Sequence, residues 1–178
     1  MVEASAVWRG GNDCRRAGND LVWHGGSTLT LQLERSAIET YFGMRWGSTT
    51  PIGYDGQAFD PIANSVRMTI KSGAVMQGSI GRIINRIDNI GLVTLTIYTE
   101  GGKGSATWRG YAETLMGLFF EKTISDTGGI ITASSQAFIR FSPPEMGDNR
   151  HPYIGADFPD PPFHLTNVIA PFVRIEYR

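Results

Sequence analysis

An α+β fold, built as an antiparallel or mixed β-sheet with two main helices packed on one face, is predicted by three observations. Two segments carry apolar residues at helical spacing, around residues 31–42 and 108–119. Several others alternate apolar and polar residues or are rich in β-branched side chains, as strands are. Runs of strands are separated by single helices, the order that segregates helices to one face of a sheet.

The elements follow along the chain. Residues 1–27 hold Trp8 and Trp23 among glycines and cancelling charges, with no sustained period. They read as an irregular N-terminal arm. Residues 28–178 read as a single α+β domain. Its first helix opens after Ser27 and Thr28, which can cap an N-terminus. Leu31, Leu33, Ala37, Ile38, Tyr41 and Phe42 form its stripe, and Gly43 and Gly47 mark its end near Trp46. Pro51, Asp55-Gly56 and Asp60-Pro61 make 47–61 a turn-rich connection. Val66–Lys71 alternates as a strand and stops at Ser72-Gly73; residues 79–87 are a weaker strand, and 90–99 the clearest one. Gly101–Ser105 turns into the second helix, whose stripe is Trp108, Tyr111, Ala112, Leu115, Leu118 and Phe119, with Ser105 as N-cap. Short strands are expected at 130–133 and 137–141.

Residues 142–163 contain six of the nine prolines and four acids against one arginine. They read as a long proline-rich loop, the kind of segment that is often functional. A last strand covers 168–177. Pro171 cannot donate a ladder hydrogen bond, which predicts an edge strand or a strand start.

Composition bounds the function. The chain has 178 residues, 41% hydrophobic and 19% charged, with a net charge of −1. A chain of that size buries roughly 70% of its unfolded surface. That composition argues against disorder. A near-neutral chain lacks the Lys and Arg surplus that drives binding to nucleic acid by counterion release, so no sequence-specific nucleic-acid partner is expected. The one cysteine, Cys14, allows no internal disulfide. The longest apolar runs fall far below the roughly 18 residues of a membrane span, and Met1–Gly11 lacks the pattern of a signal peptide.

No chemistry-bearing motif is complete. The turn Lys103-Gly104-Ser105 after a strand invites a phosphate-binding loop, but Ser105 follows glycine where that motif requires lysine. Asp148, His151, Asp157 and Asp160 could supply oxygen and nitrogen ligands, yet their spacing matches no recurring metal site. No nucleophile elbow or Cys–His arrangement is present. The expectation is a protein without catalytic residues, metal or cofactor. Charge, by contrast, is segregated: Arg67, Lys71, Arg82 and Arg86 lie in an acid-free stretch, 64–86, opposite the acidic 142–163 segment. Such complementarity fits head-to-tail contacts between identical subunits.

The order of these signals over about residues 30–178 resembles the tail terminator proteins of long-tailed bacteriophages. The similarity runs from the first helix with Trp46, through Thr50-Pro51-Ile52, the Asp55-Gly56 turn and Phe59-x-Pro61, to the Val66–Lys71 strand. Arg86 with Gly91, Val93–Tyr98, Gly102-x-Gly104, Ala112-Glu113, Phe119-Phe120 and Val168-x-x-Pro171-Phe172 complete it. The resemblance implies an α+β subunit of a six-membered ring. Such a ring caps the tail tube, stops tube polymerisation and offers a docking surface for the head connector, with DNA free to pass through it. The implied partners are further copies of the chain, the tail tube protein and the head–tail connector or neck protein. The implied location is the virion tail or neck, after assembly in the host cytoplasm. Residues 1–27 and 142–163 depart from the family pattern and are the natural inter-subunit segments. On this expectation the subunit interface holds Trp8, Trp23, Arg67, Arg82, Arg86, Pro159, Pro161 and Pro162. Two alternatives accompany it: another head–tail connector or neck protein, and a phosphate- or nucleotide-binding enzyme using Lys103–Ser105.

Overall fold

The computed structural model describes residues 30–80, 85–131 and 138–177. Helix α1 spans Thr30–Trp46 and α2 spans Ala106–Phe119. Seven strands form one sheet: β1 (Ile52–Gly53), β2 (Ser65–Gln77), β3 (Arg86–Glu100), β4 (Thr123–Ile124), β5 (Ile139–Phe141), β6 (Tyr153–Asp160) and β7 (Phe163–Tyr177). The order across it is β1-β2-β3-β7-β5-β4, with β6 also paired to β7. The short β1 runs parallel to β2 and every other pairing is antiparallel, so the sheet is mixed.

Register explains the core. Val66 and Met68 of β2 stand opposite Ile97 and Leu95 of β3. Leu95 and Val93 in turn oppose Val168 and Ala170 of β7. Side chains two apart share a face, so these residues make one continuous apolar surface, all buried. Both helices cover it. From α1 come Ala37, Ile38, Tyr41, Phe42 and Trp46; from α2 come Trp108, Ala112, Leu115 and Phe119. The spacings of three to five residues are those of a helix laying one stripe on a core. Phe119 meets Tyr41, Phe42 and Phe141 at ring-centroid distances of 5.7, 6.1 and 4.8 Å, joining both helices to β5. The predicted fold class is the one found.

Gly91 of β3 faces Phe172 of β7, whose ring lies across the glycine where a β-carbon would stand. A methyl group there must displace a fully buried ring. Gly91→Ala is therefore expected to destabilise by ~1–3 kcal/mol through overpacking, checked by urea denaturation; an unchanged midpoint would refute the packing argument.

Several elements differ from the sequence expectation, each for a physical reason. Leu31 is exposed and Leu33 only half-buried; the stripe of α1 starts at Ala37, and the buried position before it belongs to Glu34. Strand β2 does not end at Ser72-Gly73. A bulge between Ser72 and Val75 absorbs these residues and pairing resumes to Gln77. The predicted 79–87 strand has only Arg86 and Ile87 in β3, and residues 81–84 lie outside the described residues. The 47–61 connection is not free of regular structure, since Ile52–Gly53 pairs with Val66–Arg67. Ser105 precedes α2 but makes no side-chain capping bond. Ile130 forms an isolated bridge with Ile124; residues 132–137 are also outside the described set.

The 142–163 segment is not one long loop. Pro144–Asn149 forms 3₁₀ turns, Tyr153–Asp160 is β6, and Pro161–Pro162, joined by a cis peptide, makes the turn back into β7. Pro171, in turn, sits in a central strand. Strand β7 has β3 along one side; on the other, β6 pairs as far as Ile169 and β5 begins at Phe172. Ser142 N–H donates to the Pro171 carbonyl at 3.2 Å. The carbonyl, and with it the proline nitrogen, therefore faces the gap where one neighbour hands over to the other. No ladder donor is needed there.

Candidate assembly interface

Apart from the two-residue terminal strands β1 and β4, the sheet leaves two long strand edges open among the described residues, on its opposite sides. One belongs to β6. Each of its eight residues is exposed, and its only pairing is with β7. It is nonetheless firmly placed. Asp157 Oδ1 lies 2.9 Å from His164 Nε2 and accepts a bond from Thr166 Oγ1 at 3.3 Å. The His164 ring stacks on Trp108 of α2, centroids 5.8 Å apart. Arg109 lies over that tryptophan, its Cζ 4.6 Å from the ring centroid. At the hairpin turn, Gly101 N–H donates to the Pro162 carbonyl at 3.0 Å. The inner side of the hairpin is thus tied to α2 and its approach, while Tyr153, Ile154 and Phe158 remain about 40% exposed.

The other edge belongs to β2. Beyond Val66 and Arg67, which pair with β1, Met68–Gln77 has β3 on one side and no strand on the other. Lys71–Gln77 is exposed throughout, including Val75 at 66% and Met76 at 42%. Arg67 and Lys71 are exposed and make no ion pair among the described residues.

The interface residues expected from the sequence separate into groups. Arg67 stands on the β2 edge, Pro159 on the β6 edge, and Pro161 and Pro162 form the turn beside it. Trp8, Trp23 and Arg82 lie outside the described residues. Arg86 is engaged within the chain: its Nε lies 2.7 Å from Asp88 and a terminal nitrogen 3.0 Å from Glu145, which also pairs with Arg140 at 3.5 Å. Burial opposes its charge, and the hydrogen bonds it donates to these two carboxylates more than offset that, raising its pKa above the ordinary value. This network ties the start of β3 to the 3₁₀ turns.

The other candidates are likewise held in local roles. Gly102 and Gly104 supply the positive φ angles of the turn before α2, and Lys103 reaches Glu100 at 3.8 Å across an exposed surface. With Ser105 making no cap and Lys103 beside a carboxylate, the turn presents no charged cradle. Neither phosphate nor nucleotide is expected to raise the melting temperature of wild type or Lys103→Ala; a shift that disappears in the variant would reinstate a phosphate site. Asp148, His151, Asp157 and Asp160 are dispersed. His151 stacks on Phe120 at 4.7 Å, Asp157 is held by His164, and no group of three possible metal ligands gathers among the described residues.

One buried cluster was missed from the sequence. Arg174 Nε lies 2.7 Å from Glu34 Oε2, paired by charge without hydrogen-bond alignment. Ser72 Oγ donates to Glu34 Oε1 at 2.8 Å, and Arg174 also contacts Glu176. The signal was present in the alternation: Arg174 is two residues beyond Phe172, on the core face of β7.

No protein-family model and no curated protein matches this chain. A solved structure whose own name states neither activity nor partner is similar over 82% of this chain and 95% of its own, with a TM-score of 0.56 and 15% identity. At that identity the likeness shows a shared fold alone.

Proposed function

We propose that this protein is a structural virion component of the tail terminator kind. Copies join head to tail into a ring of six that caps the tail tube, ends tube polymerisation and receives the head connector. It performs no catalysis and uses no cofactor; its action is shape and interface complementarity in the tail or neck of the virion, after assembly in the host cytoplasm. The observation that carries this reading is the pair of open edges on opposite sides of one sheet, basic at β2 and acidic at β6. A surface that complements a different surface of its own copy generates a ring when the rotation closes. The resemblance in element order to tail terminators supplies the partners, the tube protein and the connector.

The test is tube growth. Added to polymerising tail-tube protein, the chain is expected to sediment with tube ends and shorten the tubes as its concentration rises. Tubes of unchanged length, with the chain left in the supernatant, would refute the assignment. A ring of twelve in class averages would favour a head–tail connector instead.

A further inference from the structure

We propose that neighbouring copies are joined by main-chain pairing, with β6 of one copy laid antiparallel along Met68–Gln77 of β2 in the next, so that the sheet continues from subunit to subunit. This rests on the ring reading and specifies the contact that closes it.

Three observations lead to this pairing. The first is direction. β2 and β7 run one way and β3 and β6 the other, because each successive pair is antiparallel. Rotation about a ring axis keeps strand direction along that axis. Placed side by side in one continuing sheet, β6 therefore meets the next β2 in opposite direction, in the geometry whose hydrogen bonds lie straight across the strands. Register sets Tyr153 level with Thr69 through Ile169 and Thr94, so β6, eight residues long, reaches Met68–Gln77 of the next copy when the strands tilt against the ring axis, as strands do in closed barrels.

The second observation is charge on a shared face. Arg67 and Lys71 alternate with the buried Val66, Met68 and half-buried Ile70, and so project on the helix-free face of the sheet. Register sets Phe158 opposite Leu165 and Asp160 opposite Phe163. Those β7 residues alternate with the core-facing Val168 and Ala170, which places Phe158 and Asp160 on the same helix-free face. Asp160 makes no ion pair among the described residues. Joined edge to edge, the copies bring a free carboxylate and two free cations onto one surface. The twofold alternatives do the reverse. β6 against β6 assembles aspartates, and β2 against β2 assembles Arg67 and Lys71 with their own copies, where like charges on facing strands are unfavourable. The charges therefore select the heterologous contact.

The third observation is how the edges are guarded. Exposed strand edges invite indiscriminate pairing unless blunted by proline, charge or a bulge. β6 carries Pro159 and a bulge between Ile154 and Ala156; β2 carries Lys71 and its bulge at Ser72–Val75. The edges remain long but irregular, so a partner must match the interruptions. Pairing is confined to the copy that does.

A charge-exchange experiment tests this on the full chain. Lys71→Asp and Asp160→Lys are made separately; both sites are exposed, and circular dichroism verifies the fold. Each variant alone is expected to lose the ring peak in light scattering. Mixed in equal amounts they restore it, because every interface in an alternating ring then joins opposite charges. Amides of 68–77 and 153–160 are expected to exchange more slowly in the wild-type ring than in monomeric Asp160→Lys. Wild-type rings with both variants assembling normally, a mixture that stays monomeric or stops at two chains, or amides equally fast in ring and monomer would each overturn the strand pairing while leaving the ring reading intact. A wild-type chain that forms no ring, either alone or with tail-tube protein, would overturn both.

Discussion

Arg174→Ala lowers the stability of the protein by ~3–5 kcal/mol, because it leaves a buried carboxylate without its counter-charge. Glu34 and Arg174 are 2% and 3% exposed, on α1 and β7 respectively. Their ion pair is closed on one side by Ser72 of β2 and on the other by Glu176. The cluster thus fastens the first helix to two strands. Removing the cation strands Glu34 in a site that water cannot reach. For a domain of this size the melting temperature should fall by roughly 6–20 °C. The double variant Glu34→Leu/Arg174→Met removes both charges with similar volume and should recover much of the loss. A cost under ~1 kcal/mol for the single variant would mean that the pair behaves as an exposed one does.

Phe119→Ala is expected to cost a similar ~3–5 kcal/mol, by a different mechanism. Its ring, fully buried, stands among Tyr41, Phe42 and Phe141, where α1, α2 and β5 converge. Three large aromatic neighbours cannot all close over the vacated space, so the cavity term adds to the lost transfer energy. Tyr41 is also held by a hydrogen bond from its hydroxyl to the Leu118 carbonyl at 2.5 Å, which resists collapse. Phe119→Leu fills more of the site and should cost clearly less. Equal costs for the two variants, measured by chemical denaturation, would contradict the packing account.

How far these features could be seen in the sequence follows from what each one depends on. The two helices and the strands β2, β3 and β7 carry their own periodicity, because each buries one face, and the fold class followed from them. β6 carries none. Exposed on both faces, it shows no alternation, and its six-proline surroundings resemble a loop until β7 supplies the register. Pro171 misled for a related reason. Proline is excluded from strand centres by its missing donor, yet here the donor would have faced the seam between β6 and β5. The bulge at Ser72–Val75 likewise looked like a strand end, since Ser-Gly is a turn signal when pairing is unknown.

The candidate interface was legible as chemistry and illegible as geometry. The segregation of Arg67 and Lys71 from Asp157 and Asp160 is plain along the chain. That these groups stand on opposite edges of one sheet depends on β3 and β7 pairing between them. Arg86, grouped with the free cations by sequence, is withdrawn from them by Asp88 and Glu145. Asp157 is similarly occupied by His164, which leaves Asp160 as the acid of β6 without an ion pair among the described residues.

Head-to-tail closure is tested most directly by the mass of this chain in native mass spectrometry, alone and with tail-tube protein. It predicts a single closed species of six chains, present alone or appearing when tube protein is added. A chain that remains monomeric in both conditions, or stops at a twofold dimer, would contradict it.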